Sequence, residues 1–255
     1  MEFPAYIRLG LVSLHPHWIF ETGAWTIGFW LYARARRTGG DVVDARVRRW
    51  VIAAAAVGGL VGSRILHLLE DPSQTALYWR DPAFLLGGKT IVGGLIGGLI
   101  GVEWIKRRLG VTTATGDLLA LPLITGIAIG RIGCFLTGLE DHAYGTATAL
   151  PWGVDFGDAV PRHPAQLYET VFLAVLGAAV VNLRRRPYEV GDQFKVFMVG
   201  YLGWRLVVDF IKPGVTVAGF SMIQWACVAA LAYYAPHVPR LGAWCLRSKR
   251  VPEAV

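Results

Sequence analysis

The chain has 255 residues, of which 54% are hydrophobic and only 17% are charged, and this composition excludes an ordinary soluble domain. The net charge of +7 comes largely from Lys and Arg clusters between apolar runs. Such clusters are typical of the cytoplasmic loops of membrane proteins and not of a nucleic-acid-binding surface. The sequence therefore predicts one polytopic membrane domain over residues 1–255, in contact with the lipid bilayer and without a nucleic-acid partner.

Seven apolar stretches are long enough to cross a hydrocarbon core about 30 Å thick. They lie at residues 11–33, 50–69, 87–105, 117–136, 165–183, 194–211 and 219–236. Basic clusters alternate with them, at residues 34–49, 106–108, 184–195 and 240–250. This alternation predicts an all-α integral membrane protein with seven transmembrane helices, its N-terminus outside and its tail, residues 237–255, in the cytoplasm.

Span three carries a series of glycines on one helix face. They are Gly87, Gly88, Gly93, Gly94, Gly97, Gly98 and Gly101, and Gly58, Gly59 and Gly62 form a similar set in span two. Small residues allow transmembrane helices to approach closely. Because the pattern lies inside an apolar span, it favours tight helix packing over a phosphate-binding loop.

Two arginines are the main candidates for a functional site. Arg131 follows the uncharged run 118–130, and Arg205 lies inside span six. A guanidinium does not lose its proton and costs roughly 3 kcal/mol or more at mid-bilayer, so it needs a partner or a ligand. Tyr201, Asp209 and Lys212 lie on the same helix face as Arg205, at spacings typical of one side of a helix.

This polar face has two interpretations. Arg205 and Asp209 can form an internal ion pair that only fixes helix packing. Alternatively, with Arg64 and Lys89 in other spans, the arginines form a surplus of buried positive charge over Asp209, which favours binding of a lipid phosphate. For Arg131 and Lys89, near span ends, the charged groups can also reach the headgroup layer.

The longest outside loop, residues 137–164, enters span five through Pro161–Glu169. Pro164 suits a first helical turn, which places Glu169 about one turn below the outer surface. His163 is a candidate general base near neutral pH, although a loop histidine is often only solvated. The chemistry is therefore expected on the outside.

The three cysteines have no metal-like spacing, so the sequence predicts neither a metal site nor another cofactor. Cys134 follows Arg131 by three residues, and an adjacent guanidinium can stabilise a thiolate nucleophile. The alternative is a small packed side chain at a helix end.

Several blocks of the sequence, in the order in which they occur, resemble the prolipoprotein diacylglyceryl transferases of bacterial inner membranes. The blocks are Gly62-Ser63-Arg64, Gly87 to Gly94, Asp117 to Pro122, Gly130-Arg131-Ile132-Gly133-Cys134-Phe135, Pro151-Trp152-Gly153-Val154, Arg162-His163-Pro164-Ala165-Gln166-Leu167-Tyr168-Glu169, Tyr201 to Lys212 and Ser221-Met222-Ile223-Gln224. The resemblance implies transfer of the diacylglyceryl group of phosphatidylglycerol to the lipobox cysteine of a preprolipoprotein. It also implies a plasma-membrane (inner-membrane) location, with residues 137–164 as the main periplasmic loop next to the active site.

Site residues follow from the same resemblance. Arg131 and Arg205 look like the family's lipid-phosphate arginines, and Tyr201, Asp209 and Lys212 stand at the positions of its Tyr, Glu and Arg. We therefore expect catalytic roles for Arg131, Arg205, Tyr201, Asp209 and His163. Substrate-binding roles are expected for Arg64, Lys89, Gly93, Gly94, Gly133, Cys134, Glu169, Lys212 and Gln224.

The chain departs from the family pattern at four positions. Val92 replaces the histidine of a Ser-Phe-His-Gly-Gly block, Cys134 and Thr137 replace asparagines, and Glu21 aligns loosely with a tyrosine. In one interpretation another residue is the base, with the candidates His67, His163, His142 and Glu21. In the second, the lipid pocket serves a different acceptor. The third is a non-enzymatic lipid-binding or transport protein, although the chain has no convincing internal repeat.

Overall fold

The computed structural model describes residues 3–9 and 12–246, which are mostly helical. The α-helices are α1 (Pro16–Gly39), α2 (Ala45–Glu70), α3 (Pro72–Tyr78), α4 (Pro82–Leu86), α5 (Ile91–Arg108), α6 (Asp117–Thr137), α7 (Ala165–Leu183), α8 (Asp192–Val208), α9 (Met222–Tyr234) and α10 (Val238–Leu246). Short 3-10 helices cover Gly138–Asp141, Asp209–Ile211 and Ala235–His237. The strands are β1 (Ile7–Leu9), β2 (Val12–Leu14), β3 (Val154–Asp155) and β4 (Pro161–Arg162).

Each predicted span contains one long helix, namely α1, α2, α5, α6, α7, α8 or α9. Three helical segments are long and apolar enough by themselves to cross a membrane: Ala45–Glu70, Asp117–Asp141 and Ala165–Leu183. The protein is therefore a predominantly helical membrane protein. Of the predicted tail, residues 238–246 form α10, and residues 247–255 lie outside the described residues.

Two short antiparallel hairpins add to the mostly helical architecture. β1 pairs with β2, which moves the start of the first long helix from residue 11 to Pro16. β3 pairs with β4 inside the predicted outer loop 137–164. Strands of two or three residues have no detectable alternation of apolar and polar positions, so the sequence did not reveal them.

Helices α2 and α5 are in backbone contact along their glycines. A Cβ added to Gly97 would lie 2.2 Å from the Gly58 carbonyl oxygen, and one added to Gly62 would lie 2.5 Å from the Gly93 carbonyl oxygen. No side chain fits at these points, which confirms the close helix packing predicted from the sequence. Thr90 caps α5 by accepting a hydrogen bond from the Gly93 amide, so this helix begins at Ile91 and not at residue 87.

The remaining long helices surround a buried core. Leu173 of α7, Phe197 and Leu202 of α8, and Cys227 of α9 are fully buried there. The C-terminal ends of α2, α6 and α8 lie on the same side of the molecule as the N-terminal ends of α7 and α9. Polar groups from these five helix ends meet above the core.

Candidate active site

Glu169 is the central residue of the site. It lies in the first turns of α7 and is 2% exposed. Its carboxylate accepts a hydrogen bond from the Tyr201 hydroxyl at 2.7 Å and lies 3.5 Å from the Arg205 guanidinium. Arg131 Nε lies 3.0 Å from Oε1, the oxygen that accepts from Tyr201, in an ion pair without hydrogen-bond geometry, whereas Arg205 is next to Oε2. Helices α6, α7 and α8 are thus joined through one buried carboxylate.

Asp209 is the second carboxylate of the site. It accepts a hydrogen bond from Arg205 at 2.8 Å and another from the Ser221 hydroxyl. Ser221 and Gln224 form a reciprocal capping box at the start of α9, and the Gln224 amide also donates to the Leu206 carbonyl at 2.9 Å. Gln224 therefore fixes the junction of α8 and α9 beside Asp209.

The predicted ion pair of Arg205 with Asp209 is present, but the predicted charge surplus over Asp209 alone is wrong. Glu169 balances one of the two arginines, and Lys89, 60% exposed in its side chain, does not belong to a buried set. We define the charge cluster as Arg131, Glu169, Arg205, Asp209 and Lys212. Three cations then face two carboxylates within the cluster, and Glu70 at the end of α2 lies within electrostatic range of Lys212 and Asp209.

Lys212 is the cation of the charge cluster that forms no ion pair with a carboxylate of the described residues. It follows the 3-10 helix at the end of α8, is half-buried, and no carboxylate oxygen of the described residues lies within 4.0 Å of its nitrogen. Burial of the ammonium group, together with the nearby Arg205 and Arg131, lowers the pKa of Lys212 to about 7. An anion bound here would pair with the Lys212 ammonium group.

The C-terminal end of α2 faces the charge cluster. Glu70 interacts electrostatically with Asp209 and Lys212, and its carboxylate lies 3.2 Å from Nδ1 of His67. A Cβ on Gly88 would lie 1.9 Å from His67 Nε2, so the imidazole position requires glycine at residue 88, which has a φ of +50°. Sequence reasoning missed Glu70, although its spacing of three residues from His67 on a helix was visible.

Arg64 and Lys89 lie where α2 meets the segment before α5, and both are bound to other groups of the protein. The Arg64 guanidinium donates to the Gly87 and Gly88 carbonyls, which shapes the chain before α5. Lys89 donates to Glu21 of α1 at 2.5 Å. Neither side chain contacts a residue of the charge cluster within the part of the chain that the structure describes.

His163 lies near Ile211, the residue before Lys212, because a Cβ on Gly145 would contact both of them. Its Nδ1 is 3.3 Å from the Tyr168 hydroxyl, which also accepts a hydrogen bond from Trp152 at 2.8 Å. The loop before it reaches the end of α8, because the Thr146 amide donates to the Ile211 carbonyl at 2.7 Å. His163 belongs to this loop and forms no hydrogen bond or ion pair with the described residues of the charge cluster.

The predicted glycine and cysteine site residues lie at helix contacts. A Cβ on Gly133 would lie 2.6 Å from the Phe20 side chain, and one on Gly93 would lie 2.4 Å from the Gly62 carbonyl. Gly94 has more space, with its nearest neighbour at 3.7 Å. Cys134 is partly buried and lies within electrostatic range of Arg131 and Asp141.

Val92 is 1% exposed in the apolar core, so the position where the family has histidine holds no acid–base group. His17, which sequence reasoning also missed, lies between Glu21 and Asp141 at 3.3 Å from each. Among the described residues, no three His, Cys, Asp or Glu side chains form a set that could hold a metal ion.

Comparisons with known proteins identify relatives of this chain. Residues 4–236 match the family described as prolipoprotein diacylglyceryl transferase. The phosphatidylglycerol–prolipoprotein diacylglyceryl transferase of Bordetella bronchiseptica is 31% identical over 88% of this chain and 90% of that protein. The enzyme of the same name from Nitratidesulfovibrio vulgaris is 30% identical over 96% of this chain and 93% of its own length. The chain belongs to the prolipoprotein diacylglyceryl transferase family.

Proposed function

We propose that the protein transfers the diacylglyceryl group of phosphatidylglycerol to the lipobox cysteine of preprolipoproteins, the first step of lipoprotein maturation. The observation that carries this proposal is the charge cluster, where three cations face two carboxylates. Lys212, the cation of the cluster without an ion-pair partner among the described residues, suits the single negative charge of a phosphodiester. The names of the relatives supply the two substrates.

The reaction forms a bond between the acceptor sulfur and the glyceryl carbon that carries the phosphate. The carbon–oxygen bond breaks, its electron pair stays on the phosphate oxygen, and glycerol phosphate leaves. Arg131, Arg205 and Lys212 would stabilise the negative charge that grows on the leaving phosphate. Tyr201 and Asp209 position these cations, since Tyr201 binds Glu169 and Asp209 binds Arg205.

For the proton of the acceptor thiol, we propose His67 as the base. Carboxylates only accept hydrogen bonds, so the Glu70 contact at 3.2 Å favours the proton on Nδ1 and leaves Nε2 to accept. The electrostatic interaction of Glu70 with Lys212 and Asp209 supports a position of this pair near the proposed phosphate site. His67 would thereby replace the histidine that is absent at Val92.

We further propose seven membrane spans with the N-terminus outside, in a bacterial inner membrane, and an active site that faces the periplasm. The ends of α2, α6 and α8 at the charge cluster lie on one side of the molecule. The helix ends next to the basic clusters of the sequence lie on the opposite side. These clusters include Lys106 and Arg108 at the end of α5 and Arg184 and Arg186 after α7. The positive-inside rule places such ends in the cytoplasm.

The proposed activity is tested with the purified protein in vesicles that contain phosphatidylglycerol. A synthetic lipobox peptide is added, and mass spectrometry measures whether it gains one diacylglyceryl group. We expect that gain only when phosphatidylglycerol and the peptide cysteine are both present, so a Cys→Ser peptide and phosphatidylethanolamine vesicles are the controls. Consumption of phosphatidylglycerol without modified peptide would instead support a different acceptor, and an unchanged lipid and peptide would contradict any glyceryl transfer.

His67→Gln is expected to lower the transfer rate by about 10²–10⁴-fold, the usual contribution of a general base. The matched control is His142→Gln, which changes an exposed histidine in the outer loop and should leave the rate near that of the wild type. The rates are measured in the vesicle assay at saturating peptide. Equal rates for His67→Gln and His142→Gln would show that His67 is not the base.

Lys212 gives a prediction about pH. With a pKa of about 7, Lys212 is about 90% charged at pH 6 and about 10% charged at pH 8, whereas an arginine stays charged throughout. The ratio of wild-type to Lys212→Arg transfer rates should therefore fall as the pH rises from 6 to 8, by up to about tenfold. A ratio independent of pH would contradict the role of the Lys212 charge.

A further inference from the structure

A second feature lies between α6 and α7, on the membrane-facing side of the core. The two helices enclose a groove of about 340 Å³. Its lining contains no ionisable side chain and is apolar apart from Thr125. It is formed by Leu121, Ile124, Thr125, Ala128, Ile129, Ile132, Leu173, Ala174, Gly177, Ala178 and Val181.

The groove begins next to the charge cluster. Arg131 and Glu169 join α6 to α7 at their outer ends, at 3.0 Å. Ile132 follows Arg131 directly, and Leu173 lies one turn after Glu169. From Ile132 to Leu121 the groove spans about 16 Å along α6, at 1.5 Å per residue. That length is close to half of a hydrocarbon core about 30 Å thick, which is one leaflet.

The groove is open to the lipid side. Ala174 and Ala178 are exposed on α7, whereas Leu173 and Ile124 are 0% and 3% exposed and form the floor. Both helices are among the segments long and apolar enough to cross a membrane. The small side chains of Ala128, Ala174 and Ala178 produce the depression between them.

We propose that this groove holds one acyl chain of the phospholipid whose phosphate is bound by the charge cluster, an inference that rests on the proposed function. A chain attached to a phosphate at Arg131 enters the groove directly below it. A helix is about 10 Å across with its side chains and does not fit between two helices that already pack together. Because the surrounding lipid is equally apolar, the groove contributes the position of the chain and hence of the reacting glyceryl carbon.

The test compares Ala178→Phe, which fills the groove, with Ala179→Phe, which adds the same ring to the neighbouring exposed alanine outside it. Ala178 lies about 14 Å along α7 from Glu169, beyond the reach of a six-carbon chain. We expect Ala178→Phe to lower kcat/KM for dioleoyl phosphatidylglycerol at least tenfold and to leave dihexanoyl phosphatidylglycerol unchanged. Ala179→Phe should change neither value.

Equal losses with both lipids, or no loss with either, would overturn the proposal. If the KM for the peptide rises with both the long-chain and the short-chain lipid, the acceptor peptide, and not an acyl chain, occupies the groove. If Ala178→Phe does not fold, Ala178→Leu with Ala179→Leu as its control makes the same comparison at the same distance from Glu169. Absence of transfer by the wild type contradicts the proposed function instead. The groove is then tested by a binding measurement, in which dioleoyl phosphatidylglycerol displaces phosphatidylglycerol with a fluorescent acyl chain from the wild type and from Ala178→Phe.

Discussion

Glu169→Gln is expected to abolish transfer and to lower the free energy of unfolding by about 3–5 kcal/mol, the cost of removing one partner of a buried ion pair. The glutamine has nearly the same size, so the effect comes from charge. Without the carboxylate, the Arg131 and Arg205 guanidiniums, at 3.0 and 3.5 Å from it, lie next to each other without the anion between them. Thermal unfolding in detergent measures the loss of stability, and the vesicle assay measures transfer.

Glu140→Gln is the matched control, because Glu140 is exposed and its carboxylate contacts His15 at the surface, at 3.4 Å. Such a surface change is expected to stay within about 0.5 kcal/mol of the wild type. Added phosphate should restore part of the stability of Glu169→Gln, since an oxyanion can pair with both guanidiniums and stabilises the folded state by binding to it. Wild-type stability and activity in Glu169→Gln would show that Glu169 does not balance this site.

Gly97→Ala is expected to destabilise the protein by about 3 kcal/mol or more, at the upper end of overpacking costs. The added Cβ would lie 2.2 Å from the Gly58 carbonyl oxygen and 2.8 Å from the Gly62 Cα, and backbone atoms cannot rotate away. Helices α2 and α5 must then separate. This movement would displace His67 and Glu70 from the charge cluster, so transfer should fall as well.

Gly98→Ala on the same helix is its control. The nearest atom to that Cβ is the Ala55 carbonyl oxygen at 3.3 Å, which needs only a small shift. Alanine also favours the helix over glycine by about 1 kcal/mol, so we expect Gly98→Ala to be close to neutral. Unfolding of both variants in detergent decides the point: equal stability of the two would mean that the α2–α5 contact is looser than described.

Much of the helical architecture follows from local sequence. Apolar runs and glycine spacing are properties of one segment, and each predicted span contains a helix. The boundaries differ where short-range contacts intervene, as at Pro16 after the first hairpin and at Ile91 after the Thr90 cap. The hairpins themselves arise from pairing between short strands, which segment-by-segment reading does not detect.

The charge cluster shows the limit of that reading. Arg131 and Arg205 were identifiable because each is a charge in an apolar segment, and Arg205 with Asp209 because they lie four residues apart on one helix. The third partner, Glu169, comes from another helix and contacts both arginines at once. Counting charges along the sequence therefore overestimated the positive surplus.

By itself, the sequence determined that this is a helical membrane protein of a lipid-using family, because hydropathy, basic clusters and motif blocks are local patterns. Only the tertiary structure decided which charges meet, that Lys212 has no ion-pair partner among the described residues, and that Glu70, in contact with His67, lies within electrostatic range of it. The physical reason is that ion pairs act over a few ångströms in space, between groups that are 30 or more residues apart in the chain.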